Sequence, residues 1–418
     1  MLSIAARATL IAAMIAVLSG CGSSHEGPVA HASDVSDIST PESAGECAAT
    51  VVNALGDIAK RVYREGVSSA RTASALSLVT HSLPLREAIE RDDPQDARAA
   101  AEALIATHHM TNLKVLVGDR TLVDAGGPDA LAPLHGTITG ARGTPIASFL
   151  TSVWADRGYI SEIDGIAEGG SALRASASSI PGSFALPPGH LPPEGSVHEH
   201  ELDYRYTSFP VAAYPTGQLR VYVLRSIPST AALCGPTQQD TLVNTLSHIA
   251  TLIYRGEAGR RTLPQIRRVQ HNQALLRAVA KRNPAATKLA VKALLHQHIV
   301  RLRVSALGKL LSDVGGPFVL APVTAPLRLK GRKIGSFVLS IQDDLGYRLL
   351  AQRLVGLESV MRVGSRVVMS SLNPPPTKVP PAGSFRYQGH TYRAFSFGGR
   401  AFPSKPLNIT VLIPIPYS

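Results

Sequence analysis

The sequence predicts an α+β fold built from two tandem copies of one module. Three observations lead there. The chain of 418 residues repeats itself at a nearly constant offset. Within each copy, apolar residues at helical spacing come first and strand alternation follows. Once an N-terminal leader is set aside, about 375 residues remain, more than one core normally serves.

The leader reads as a lipoprotein signal peptide, residues 1–20. It has one charged side chain, Arg7, and a mostly apolar run over residues 8–18. That run is too short to span a bilayer and suits a signal-peptide core. It ends in Leu18-Ser19-Gly20-Cys21, small residues before a cysteine, in the pattern of a lipobox. Acylation of Cys21 is therefore expected, with the chain lipid-anchored on the extracytoplasmic face of the cell membrane. Residues 21–43 are rich in Ser, Gly, Pro, Asp and His and read as a flexible tether. No later run reaches about eighteen apolar residues, so no transmembrane helix is expected.

The repeat is dense. Val52-Asn53, Ile58-Ala59 and Tyr63-Arg64 recur as Val243-Asn244, Ile249-Ala250 and Tyr254-Arg255. Asp124-Ala125-Gly126-Gly127-Pro128 recurs as Asp313-Val314-Gly315-Gly316-Pro317, and Asp156-Arg157-Gly158-Tyr159 as Asp344-Leu345-Gly346-Tyr347. Near the ends, Tyr204-Arg205 and Ser208-Phe209 match Tyr392-Arg393 and Ser396-Phe397. The copies span residues 44–228 and 234–418, each a normal domain size. Cys47 and Cys234 are the only cysteines besides Cys21. In an exported protein they are expected either as a disulfide with each other or as two buried thiols.

Helices are predicted over residues 51–62, 83–89 and 96–107, and over 242–254, 275–280 and 285–298 in the second copy. Residues 113–117 and 302–306 read as strands, and each Asp-x-Gly-Gly stretch ends a hairpin. Residues 146–153, 219–224, 333–341 and 407–413 are further strands. Each copy is thus helices first, then an antiparallel sheet. The second copy carries Leu311-Ser312-Asp313-Val314-Gly315-Gly316, then the strand from Gly331-Arg332-Lys333-Ile334-Gly335 to Ser340, then Asp343-Asp344-Leu345-Gly346-Tyr347. This order resembles the Cache family of PAS-like extracytoplasmic sensors, with a long N-terminal helix before a central antiparallel sheet. The resemblance implies two tandem Cache-like domains that sense or bind a small metabolite. Such sensors usually continue into a membrane helix and a cytoplasmic module. This chain stops at Ser418, so a sensed signal is expected to pass to another protein, such as a membrane signalling protein.

Charge divides unevenly. Up to residue 233 there are 16 basic and 24 acidic side chains, a net −8; beyond it there are 26 and 6, a net +20. The copies are expected to attract each other. The basic copy suits an anionic envelope component, unless its charge serves only solubility. Nucleic acid is not an expected partner, because aromatic residues do not interleave with the basic ones.

No G-x-S-x-G, S-x-x-K, H-E-x-x-H or P-loop pattern is present, so hydrolase, zincin and nucleotidase readings lack their minimum parts and no enzyme is expected. No cofactor or metal is expected either. His198-Glu199-His200 lies in a Pro/Gly-rich segment without a counterpart, and His296 and His298 point apart on a helix. His81 and His271 are expected at a helix start. For a ligand, the second copy offers Asp343, Asp344, Tyr347 and Arg348 after a strand, then Tyr387, Tyr392, Arg393 and Ser396, with Phe337, Phe395 and Phe397 as an apolar wall. A carboxylate there would take an amine and Arg393 a carboxylate. The plainer reading packs Tyr347 on the core, because Gly158-Tyr159 repeats the motif. Trp154, Asp156, Tyr159 and Tyr206 are the first copy's equivalents. Two functions follow: a ligand-binding sensor, or a non-catalytic scaffold that docks through Arg301, Arg303, Lys330, Arg332 and Lys333.

Overall fold

The computed structural model describes residues 43–417 except 109, 128–129, 176–177, 181, 215–216, 260–261 and 296–297. The signal peptide, Cys21, the tether to residue 42 and His296 lie outside the described residues.

The first copy opens with helices α1 (Ala44–Ser68), α2 (Ala70–Thr80), α3 (Leu83–Glu90) and α4 (Pro94–His108). Strands β1 (Asn112–Val117), β2 (Arg120–Gly126), β3 (Ala130–Leu131), β4 (Leu134–Thr139), β5 (Pro145–Ser152) and β6 (Trp154–Ala155) follow. After α5 (Asp156–Ala167) come β7 (Gly170–Ala175), β8 (Ser178–Ile180), β9 (Glu194–Glu199), β10 (Leu202–Tyr214) and β11 (Gln218–Ser226). A short α6 (Ile227–Thr230) leads into the second copy.

That copy repeats the order. Its helices are α7 (Gln238–Ala258), α8 (Leu263–His271), α9 (Gln273–Ala280) and α10 (Pro284–Leu294). Then come β12 (Arg301–Ala306), β13 (Lys309–Gly315), β14 (Val319–Leu320), β15 (Val323–Leu329), β16 (Arg332–Ser340) and β17 (Gln342–Asp343). The copy closes with α11 (Asp344–Leu350), β18 (Glu358–Val363), β19 (Arg366–Ser370), β20 (Ala382–Tyr387), β21 (His390–Ala401) and β22 (Lys405–Ile415).

The fold is α+β with antiparallel sheets, but each copy has two sheets where one was expected. A four-stranded sheet has the order β2-β1-β5-β4, repeated as β13-β12-β16-β15. A larger sheet has the order β6-β3-β10-β11-β7-β8 with β9 beside β10, repeated as β17-β14-β21-β22-β18-β19 with β20 beside β21. The chain passes between sheets through β3 and β14, two residues each, too short to leave a period-2 signature. Each is followed by an alanine in the left-handed region, Ala132 and Ala321.

The Asp-x-Gly-Gly motif has a steric cause. Gly126 and Gly315 sit at φ +96° and +131°, and a Cβ on either would come within 2.4 Å and 2.2 Å of the carbonyl oxygens of Thr111 and Val300. Only glycine meets both demands.

α1 starts where Ser43 and Glu46 cap each other, the Ser43 backbone donating to Glu46 Oε2 at 2.9 Å and the Glu46 backbone to Ser43 Oγ at 3.3 Å. Its buried Cys47, Val51, Leu55, Ile58 and Val62 follow helical spacing. They enter a core that also holds Leu246, Ile249 and Tyr254 of α7 and Val411 and Ile413 of β22, so the two copies share one core. A disulfide joins Cys47 to Cys234 across the copies, with Cα atoms 5.6 Å apart. Charge attraction between the copies is modest by comparison: Glu65 meets Arg353 at 3.7 Å on partly exposed side chains, and a hydrogen bond joins Glu168 and His248 at 2.9 Å. The four-stranded sheets keep separate cores, each under its own three-helix cover.

Candidate functional site

The residues predicted for a ligand pocket do not come together. Phe337 is buried beneath α9 and α10 in the small sheet's core, with Leu302, Val304 and Leu339. Tyr347 is fully buried in the shared core, and its hydroxyl donates to the Ala250 carbonyl at 3.0 Å. Tyr159 does the same to Ala59 at 2.9 Å. Burial pushes both phenols well above their usual range. Asp343 caps α11, accepting from the Gly346 backbone at 2.6 Å. Asp344 is buried and accepts from the Leu345 backbone at 2.9 Å; burial pushes its carboxyl up despite that hydrogen bond.

Tyr392 belongs to another cluster, with Val360, Leu372 and Leu412. Arg393 faces the opposite side of β21 by strand alternation and donates to Asp240 of α7 at 2.7 Å. The hydroxyls of Ser396 and Thr410 pair at 2.7 Å. Phe395 and Phe397 pack on the shared core. Each group is committed to caps, cores or ion pairs in separate places, so the spacing that made them neighbours in sequence does not make a pocket.

The histidines also differ from expectation. His81 and His271 stand at helix C-termini, not starts, with Nδ1 2.8 Å and 2.7 Å from the carbonyls of Ser77 and Arg267. His198 contacts Asp203 at 2.8 Å across the β9–β10 hairpin, and His200 occupies its turn. No cluster of metal-ligating side chains occurs among the described residues.

What the structure does assemble is a basic lobe, residues 263–341, made of α8–α10 and the sheet of β12, β13, β15 and β16. It carries fourteen Lys and Arg and one carboxylate, Asp313. Asp313 stands opposite Arg303 in the β12–β13 ladder. Arg301 donates to it with Nε and Nη2 at 2.9 Å each, and Arg303 with Nε at 2.9 Å and Nη2 at 2.6 Å. Both guanidiniums lie over the Phe402 ring, at 4.6 and 5.6 Å. Arg301 and Arg303 therefore hold the two sheets together, and a docking face that includes them is not what the structure presents. Burial opposes ionisation of Asp313, but the two arginines outweigh it and hold the carboxyl below its ordinary range. The rest of the lobe has no carboxylate of its own.

The first copy is a built-in control. α3, α4 and the turn between them carry Glu87, Glu90, Asp92, Asp93, Asp96 and Glu102. At the same places in α9, α10 and the turn between them stand Arg277, Ala280, Arg282, Asn283, Ala286 and Lys292. Backbone conformation is kept through the exchange: Asp92 and Arg282 both follow the helix in the left-handed region, at φ 55° and 52°. Six acids have become neutral or basic on a repeated helix pair. Arg277, Arg282 and Lys292 are exposed.

Between the copies lies an open groove of about 490 Å³, lined by Thr50, Asn53 and Asp57 of α1, Gln239 and Leu242 of α7, and Tyr417, among others. None of the predicted ligand residues reaches it.

No protein-family model matches the chain, and no curated protein does. Among solved structures it is similar to an extracellular ligand binding receptor from Desulfohalobium retbaense DSM5692, at 10% identity and a TM-score of 0.28. The match covers 54% of this chain and 47% of that one, so it spans about half the receptor's length. Among the described residues no helix is long and apolar enough to cross a membrane.

Proposed function

We propose that this chain is a lipid-anchored extracytoplasmic lipoprotein whose tandem Cache-like module works by docking, without catalysis, on an anionic component of the cell envelope. The observation that carries the reading is the basic lobe: one carboxylate among residues 263–341, already engaged by Arg301 and Arg303. Near an anionic lipid surface each Lys or Arg contributes about 1 kcal/mol, so a face of several such groups binds where a mixed surface would not. In this reading the anchor at Cys21 is joined to α1 by residues 22–43. A chain of 22 residues spans at most roughly 75 Å when extended.

Binding of the Cys21→Ser chain to an immobilised anionic surface tests this. The expected result is strong retention at low salt that falls steeply as salt is raised. Retention that ignores salt would count against it.

A small-metabolite sensor is the second reading, and the groove between the copies favours it, with carboxamides and Asp57 above the apolar Ala54, Leu242 and Ile415. A thermal-shift panel of amino acids and carboxylates is its test. A stabilising ligand whose effect disappears with Asn53→Leu would support it, and a panel without a hit would not.

A further inference from the structure

The basic lobe has an end as well as a face. In the β12–β16 ladder Ser305 stands opposite Ser336, and in the β15–β16 ladder Leu329 stands opposite Arg332. The two-residue turns Leu307-Gly308 and Lys330-Gly331 therefore close the same end of the four-stranded sheet. One turn presents Leu307 and Leu310, 73% and 56% exposed, on either side of Lys309. The other presents Lys330, Arg332 and Lys333, all exposed.

Leu307 is held at φ +48°, in the left-handed region that a leucine disfavours. The same turn of the first copy joins Val117 to Arg120 through Gly118 and Asp119, with Gly118 at φ +59°. Leu307 occupies the place of Gly118, and Leu310 that of Thr121. The second copy thus puts a large apolar side chain where the backbone prefers glycine and where the described residues leave most of it exposed.

We infer that this end of the sheet is a lipid-insertion edge, through which the basic lobe seats on an anionic bilayer. The inference rests on the docking reading above and names the surface. A purely anionic polymer would satisfy Lys309, Lys330, Arg332 and Lys333 but would leave the leucines in water. A bilayer interface takes both, phosphate headgroups at the level of the cations and acyl chains beneath them for Leu307 and Leu310. The first copy has glycine and threonine at the tip in place of the leucines; it keeps Arg120 at the place of Lys309, but there the guanidinium pairs with Asp92.

Co-sedimentation of the Cys21→Ser chain with vesicles tests this, using phosphatidylglycerol mixed with phosphatidylcholine against phosphatidylcholine alone. The chain is expected to bind the mixed vesicles and not the neutral ones. The double variant Leu307→Asn, Leu310→Thr is expected to partition roughly tenfold or more weakly, since two leucines lose their burial. Its melting temperature should not fall, because asparagine tolerates the left-handed backbone better than leucine does. A Leu310→Trp chain should be quenched by brominated acyl chains beyond the signal of the native Trp154. Equal partitioning of wild type and double variant would overturn the inference. Binding to a polyphosphate matrix but not to mixed vesicles would overturn it and leave the docking reading standing. Binding to neither would end both.

Discussion

Breaking the Cys47–Cys234 bond should cost more stability than any single side-chain change considered for this protein. The bridge closes a loop of 187 residues. In the chain-entropy account a loop of that length restricts the unfolded state by about 5 kcal/mol at 25 °C, and native bridges commonly deliver somewhat less, because the unfolded chain retains structure. Reduction here leaves Cys47 fully buried in the shared core, where it keeps its packing. About 3–5 kcal/mol is therefore the expected loss. Urea unfolding followed by far-UV circular dichroism, with and without reductant, gives the difference as a lowered midpoint. The Cys47→Ala, Cys234→Ala double variant should fall at or below the reduced protein. Coincident oxidised and reduced transitions, with both thiols alkylated by reagent under non-reducing conditions, would refute the reasoning.

The paired tyrosines and the lobe's single acid give two further expectations. Tyr347→Phe and Tyr159→Phe should each cost about 1 kcal/mol, the net worth of one buried hydrogen bond, with near-equal effects because the two hydroxyls meet equivalent helix carbonyls; chemical denaturation measures both. Asp313→Asn should cost about 2 kcal/mol, because two arginines lose a charged acceptor. Since the folded-state carboxyl lies below its ordinary value of 3.8, its contribution is present above that value and disappears as pH falls through the lower, folded one. Acid titration of stability should therefore bring wild type and Asp313→Asn together at low pH, and a constant gap between them would count against the assignment.

Much of the fold was legible because duplication is a statement about sequence alone. The matched glycines mark backbone positions, and Gly126 and Gly315 do sit where a side chain has no room. The helix-then-strand order survives because apolar periodicity follows burial. The second sheet was not legible, since the crossing strands β3 and β14 are two residues long and leave no pattern.

The ligand residues misled for a related reason. Asp344, Tyr347 and Arg393 are near in sequence or strand order, but a bond from the adjacent backbone amide, a core hydroxyl bond and a cross-element ion pair separate them. The role of Arg301 and Arg303 depends on a register that puts Asp313 across from them, which composition does not reveal. The charge contrast between copies was plain from counting. Its concentration in one lobe, and the exposure of Leu307, needed the tertiary structure. A residue-by-residue comparison of the copies at the Gly118 and Leu307 positions holds the signal that would have pointed to that turn.

If the basic lobe docks on an anionic surface, the first copy shows which substitutions should abolish docking. Arg277→Glu, Arg282→Asp and Lys292→Glu together restore the acids that the same scaffold carries at Glu87, Asp92 and Glu102. The fold should accept them, since those side chains are exposed. Equilibrium binding of the triple variant to anionic vesicles at physiological salt should fall by two orders of magnitude or more, given about 1 kcal/mol for each cation near the surface and a comparable repulsion for each acid. Binding equal to wild type, in a variant with an unchanged melting temperature, would rule out docking through this lobe.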